Sequence, residues 1–148
     1  MDFTGAKAAL FCGAFVLTYL RDEKPGLRWP GLWDLPGGGR EGPESPEDCL
    51  LRELEEEFGL RLGPDRLIWR RVFPSMVEAG RESVFFGGWV SAEEIAAIRF
   101  GDEGQRWDLM EVEGFLGHTL AVPEMQRRAG IVWGEFRGVH GGQSLTPK

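Results

Sequence analysis

A chain of 148 residues, 42% hydrophobic and 28% charged, has the size and composition of one ordinary globular domain and excludes a largely disordered segment. Its 24 acidic against 17 basic residues, a formal net charge of −7 at pH 7, exclude a nucleic acid polymer as partner, since polyphosphate chains are bound by a surplus of Lys and Arg. Two cysteines, Cys12 and Cys49, are too few for a disulfide framework and lack zinc-binding spacing, so both read as buried thiols and the expected location is cytoplasmic.

The run Ala8 to Leu20 (AALFCGAFVLTYL) follows Lys7 and has the length of a secretory apolar core. It lacks a small-residue cleavage pattern after it, Phe11 spoils a lipoprotein-type site before Cys12, and the run is too short to span a bilayer, so no membrane association is expected. Its Phe, Val and Leu content predicts one buried central strand. Arg21 to Pro30 is a charged loop containing Pro25-Gly26, and Gly31 to Leu35 predicts a short strand. The turn Pro36-Gly37-Gly38-Gly39 then lets backbone approach a ligand closely. It is neither a Walker loop nor a dinucleotide fingerprint.

A helix is predicted over Ser45 to Phe58. Ser45 caps its first turn, Pro46 suits the first helical position, Asp48 sits where a capping-box acid reaches back, and Gly59 ends it. Cys49, Leu50, Leu54 and Phe58 form its core-facing stripe. Farther on, Arg66 to Phe73 and Glu82 to Val90 predict two strands joined around Ser75 to Gly80. Ser91 with Glu94 is a second capping box, opening a helix through about Ile98. Gln105 to Val112 predicts another strand, and Val122 to Arg128 a closing helix with Pro123 at its start. Ile131 to Phe136 fits either state, and Gly138 to Lys148 predicts a flexible or peripheral tail. No internal repeat is present, and a single domain over 1–148 is expected. His118 and His140 stand alone and take no part in the expected chemistry.

On the Ser45 to Phe58 helix, Glu53, Glu56 and Glu57 fall within roughly 100° of one another, on one face. Their mutual repulsion, with Arg52 the only cation inside the helix, makes more sense when a divalent cation offsets it. A solvated acidic face is the bland alternative. The surrounding spacing decides between them. Gly38, five residues, Glu44, seven residues, then Arg52-Glu53-Leu54-Glu55-Glu56-Glu57-Phe58-Gly59-Leu60 fits the Nudix box, G-x5-E-x7-R-E-U-x-E-E-x-G-U with U bulky aliphatic, at every defined position. The chain therefore resembles the Nudix hydrolases, most closely the small MutT-like ones.

The resemblance implies an α/β fold, an α/β/α sandwich around a mixed β-sheet. It implies that Glu53, Glu56 and Glu57 hold a metal together with the Gly38 carbonyl, and that Arg52 and Glu44 fix the carboxylate rotamers. Hard oxygen donors suit Mg²⁺, with Mn²⁺ a second choice. The implied reaction is water attack on an internal phosphorus of a nucleoside diphosphate joined to another group. A nucleoside triphosphate, giving a monophosphate and pyrophosphate, is preferred here, with ADP-ribose, dinucleoside polyphosphates and nucleotide sugars as alternatives. Glu103, in the turn Gly101-Asp102-Glu103-Gly104, is the candidate general base and Glu57 the alternative. Arg28 and Arg40 are candidates for phosphate contact. Trp29, with Trp33, Trp69, Trp107 and Phe85, is a candidate for base stacking, although aromatics are more often core. The partner is thus a small-molecule nucleotide, and the protein a monomer or homodimer. A nucleotide-binding module without hydrolysis is the contrasting reading. Against it, no box ligand is missing.

Overall fold

In the computed structural model, which describes residues 1–140, the apolar run expected to form one strand turns back on itself at Gly13. It becomes the end of β1 (Phe3–Cys12) and all of β2 (Phe15–Leu20), paired antiparallel with Phe11 opposite Val16 and Cys12 opposite Phe15. Gly13 has φ +58, a left-handed conformation that glycine adopts without steric cost, which is what a tight reversal needs. Both strands are covered on both faces, so no polar alternation marks where one ends.

β1 is the centre of a mixed, seven-stranded sheet. On one side it pairs in parallel with β6 (Glu82–Trp89), which in turn pairs antiparallel with the edge strand β5 (Trp69–Pro74). Its other side is shared. Phe11 and Cys12 meet β2, while Gly5 to Lys7 meet β4 (Gly37–Gly39), the glycine turn, which is drawn into the sheet. β2 continues the sheet to β3 (Trp33–Asp34) and β7 (Arg106–Glu111).

Side-chain alternation along β1 builds two cores. Ala6, Ala8 and Leu10 point to the layer of α1 (Pro46–Phe58), where Cys49, Leu50, Leu54 and Phe58 are buried. Ala9 and Phe11 point to the opposite layer, formed by α3 (Val112–Leu116) and α4 (Pro123–His140) through Phe115, Met125, Ala129, Val132 and Phe136. The result is the expected α/β/α sandwich.

The Ser45 and Gly59 caps of α1 form as predicted, with the Asp48 amide donating to Ser45 Oγ at 3.1 Å and Gly59 at φ +66. α4 runs beyond the expected Arg128, taking in Ile131 to Phe136 and the first residues of the expected tail, Gly138 among them. Gly130, Gly134 and Gly138 lower its intrinsic helix propensity, and burial of its apolar face overrides them. The rest of the tail, 141–148, lies outside the described residues. The segment expected to begin a strand at Arg66 instead opens with a turn of 3₁₀ helix, Pro64–Arg66, where Pro64 supplies the first residue. α3 is a further short helix that lacks a side-chain cap, which is why no capping signal announced it.

The second capping box forms as read, and α2 (Ala92–Ala96) follows it. Glu94 also takes both terminal nitrogens of Arg66, each at 2.8 Å, and Arg66 holds its carboxyl down to about 2. A folded-state value below the unfolded one stabilises above the unfolded value and is lost as pH falls towards the folded one. The melting-temperature advantage of the wild type over Glu94→Gln is therefore expected to be full above about pH 5 and to narrow towards about pH 3. A constant gap across that range in thermal melts would remove the ion pair from the stability of this corner.

Candidate active site

The glycine turn and α1 meet edge to face. The Gly37 amide donates to Glu57 Oε1 at 3.0 Å, and Glu53 lies against Gly38, where an added Cβ would stand 2.6 Å from Glu53 Oε2. Glu53 and Glu57 are 8% and 6% exposed, which is unusual for two carboxylates one helical turn apart. Glu103 reaches them from the turn between α2 and β7. Carboxylate oxygens of Glu53, Glu57 and Glu103 lie within 4.8 Å of one another.

Glu56 is half exposed at the outer side of this group. It is tied to it by Arg52, whose Nη1 lies 3.1 Å from Glu56 Oε1 and 3.2 Å from Glu53 Oε2. The loop before α1 folds back over the helix. Arg52 Nε donates to Glu44 Oε2 at 2.6 Å, and its Nη2 to the Gly39 carbonyl at 2.9 Å. Arg52 holds the Glu44 carboxyl below its usual value. The Gly38 carbonyl accepts the Cys49 thiol at 3.6 Å, and burial pushes that thiol up to about 11.

Burial sets the electrostatics of the pair. It pushes the Glu57 carboxyl up to about 8, with Glu53 and Asp34 adding repulsion and Lys7 and the Gly37 amide opposing it. Glu53 is also raised, by burial first, with Arg52 working against it.

A cavity of about 440 Å³ opens over these carboxylates. Arg28 and Trp29 line its rim, and Trp29 has φ +54, a left-handed conformation uncommon for a residue with a side chain. Arg40 is not among the lining residues; its guanidinium lies 4.5 Å from the Phe3 ring centroid. Phe85 and Trp33 are core, and of the aromatic stacking candidates only Trp29 lines the cavity.

One group of lining residues escaped sequence reasoning. Asp34, 2% exposed, accepts Lys7 Nζ at 3.2 Å and Arg21 Nη1 at 2.9 Å, with the Tyr19 hydroxyl at 3.4 Å and the Leu35 amide at 2.7 Å. Lys7 Nζ also donates to the Leu35 and Gly37 carbonyls, so its ammonium braces the turn that carries Gly37. Burial acts to lower its affinity for a proton, but Asp34, Tyr19 and Glu57 outweigh it and hold the charge. A lone lysine within an apolar strand, Ala6-Lys7-Ala8, was the available signal.

The NUDIX domain family matches residues 15–128. The chain belongs to the Nudix hydrolase family. Over 62 residues this Nudix protein is 42% identical to the nucleoside triphosphatase NudI of Escherichia fergusonii, a stretch that covers 42% of the chain and 39% of that relative. The chain thus matches only about two fifths of that protein's length. Among solved structures it is similar to the MutT protein of Methanosarcina mazei Go1, with TM-score 0.69 and 22% identity over 93% of the chain and 97% of that protein. It is also similar to a Caenorhabditis elegans Ap4A hydrolase in a binary complex, with TM-score 0.71 and 17% identity over 91% and 99%. These likenesses establish the Nudix fold.

Proposed function

We propose that this Nudix hydrolase is a Mg²⁺-dependent pyrophosphohydrolase of nucleoside diphosphate derivatives, with nucleoside triphosphates as preferred substrates. The observation that carries the reading is the convergence of Glu53, Glu57 and Glu103 within 4.8 Å at the wall of a cavity of about 440 Å³. Two buried carboxylates that repel each other are costly unless a cation is shared between them, and hard oxygen donors suit Mg²⁺, or Mn²⁺ in its place. Glu53 and Glu57, joined by Glu56 from its place beside Arg52 and by the Gly38 carbonyl, would hold the ion. Bound there, Mg²⁺ supplies charge neutralisation for the phosphates and acidifies water. Arg52 and Glu44 hold the carboxylates in place. Glu103, or Glu57 in its stead, accepts the proton of the attacking water. The new O–P bond forms as the anhydride P–O bond breaks, leaving a nucleotide and a phosphorylated remainder. Arg28 and Trp29 at the rim, and Arg40 nearby, are the candidate substrate contacts. The named activity of the NudI relative supports triphosphates as the preferred class.

The test is a hydrolysis panel with Mg²⁺ covering nucleoside triphosphates, ADP-ribose, diadenosine polyphosphates and nucleotide sugars, with products identified. Monophosphate and pyrophosphate from a triphosphate, abolished by chelator, are expected. Silence from folded protein with both Mg²⁺ and Mn²⁺ would overturn the enzymatic reading.

Metal binding should carry a pH signature. Glu57, pushed up to about 8, is protonated at neutral pH in the metal-free protein, and an ion can bind its oxygen only after that proton leaves. Mg²⁺ affinity is therefore expected to rise with pH and to level off above about 8. Calorimetry near neutrality in two buffers of different ionisation enthalpy reads the released proton, and identical heats would contradict the assignment. Among the described residues no helix is long and apolar enough to cross a membrane. The two free thiols, Cys12 and Cys49, support cytoplasmic residence.

A further inference from the structure

The turn that presents Glu103 is held from two sides. On one side the Gly101 amide donates to the Glu57 carbonyl and the Arg99 amide to the Phe58 carbonyl, each at 2.9 Å, which ties the turn to the last residues of α1. On the other side the Gly104 amide, next to Glu103, donates to Asp22 Oδ2 at 3.1 Å. Gly104 has φ +89, and a Cβ there would stand 3.0 Å from the Tyr19 and Phe100 rings, so the turn is fitted to this place. Among the described residues, the same Asp22 oxygen has besides this a long ion pair with the exposed Lys24, whose Nζ lies 3.9 Å away.

Asp22 also starts the rim loop. Its carbonyl accepts the Gly31 amide at 3.1 Å, closing the loop, and Arg21 Nε braces it at the Arg28 carbonyl at 2.9 Å. That loop carries Trp29 in its left-handed conformation, and Arg28 Nη1 reaches the Met76 carbonyl at 3.5 Å. One residue is thus the joint: the Asp22 carbonyl closes the loop at the cavity mouth, and its side chain holds the turn that carries Glu103.

We propose that Asp22 is a positioning residue for Glu103: through the Gly104 amide it fixes the turn so that the Glu103 carboxylate stands beside Glu53 and Glu57. The inference rests on the assignment of Glu103 to the reaction. Glu103 is exposed and belongs to a short turn, so nothing in a packed core fixes its carboxylate, and the turn's anchors must do so. A misplacement of about 1 Å at a reacting group costs on the order of 10²-fold.

The experiment compares Asp22→Ala, Asp22→Asn, Glu103→Gln and the double variant Asp22→Ala/Glu103→Gln, measuring pyrophosphate release from the four ribonucleoside triphosphates with Mg²⁺. Asp22→Ala is expected to lower kcat by roughly 10- to 100-fold with KM changed less than about twofold. Asp22→Asn, whose Oδ1 still accepts the Gly104 amide, is expected to restore most of it. In the double variant the loss should be no greater than in Glu103→Gln alone, because both changes remove one effect. Hydrogen exchange gives a readout independent of turnover: the Gly104 amide should exchange faster in Asp22→Ala and stay protected in Asp22→Asn. Additive losses, Asp22→Asn no better than Asp22→Ala, or unchanged Gly104 exchange would overturn the positioning role. Wild-type turnover in Glu103→Gln would overturn the assignment of Glu103 itself, and this proposal with it.

Discussion

Glu57→Gln is expected to lower turnover by at least about 10²-fold while leaving the fold intact. The amide has the shape of the carboxylate, and its Oε1 can still accept the Gly37 amide, so the contact between α1 and β4 survives. What disappears is a charged oxygen donor. Stability should hold or rise, because in the metal-free protein the charged form is opposed by burial and by repulsion from Glu53 and Asp34. Glu53→Gln is expected to behave alike, since its carboxylate is nearly as buried. Thermal melts separate loss of chemistry from loss of the site. Mg²⁺ binds the folded wild type and should raise its melting temperature, by an amount set by the ratio of ion concentration to dissociation constant. Glu57→Gln should gain little. An equal shift in both proteins would place the ion elsewhere and remove Glu57 from the proposed ligands.

How much of this was legible in the sequence depends on how local each cause is. α1 was readable to within a residue because Ser45, Pro46 and Gly59 act within a turn of where they stand. The same holds for the Ser91–Glu94 box. The β1–β2 reversal was not, since burial on both faces erases the alternation that marks a strand and leaves Gly13 as the sole signal. The length of α4 was hidden for the opposite reason: its glycines argue against a helix that packing against the sheet then enforces. At the site, the spacing of Glu53, Glu56 and Glu57 placed them on one helix face, but which of them burial selects is tertiary. The fold turns Glu53 and Glu57 inward beneath the glycine turn and leaves Glu56 outside, bound to Arg52. Glu103 joins them because the Gly101–Gly104 turn is tied to the end of α1, across more than forty residues, and to Asp22, across about eighty. The Lys7–Asp34 pair likewise depends on strand order, which no short-range pattern encodes.

The second large effect distinguishes two neighbouring glycines by what an added methyl group would strike. At Gly37 the Cβ would lie 2.2 Å from the Ala6 carbonyl oxygen and 2.5 Å from Lys7 Cα, both backbone, and φ is +127, a region closed to other residues. Neither β1 nor the turn can give way cheaply. Gly37→Ala is expected to cost about 2–4 kcal/mol, a drop in melting temperature of roughly 5–15 °C, with activity lost as the turn is displaced. At Gly38 the obstruction is Glu53, with Oε2 at 2.6 Å and the carboxyl carbon at 2.7 Å. That is the far end of a flexible side chain, and Gly38 has no left-handed φ to strain. Gly38→Ala should therefore melt within about 1 kcal/mol of wild type, because the carboxylate swings aside at small cost. Its turnover should nonetheless fall by at least about tenfold, since the group that moves is a proposed ligand. Differential scanning calorimetry paired with steady-state kinetics on the two variants reads both quantities. Wild-type turnover in a well-folded Gly38→Ala would mean that the carboxylate lying against Gly38 is not the one that holds the ion.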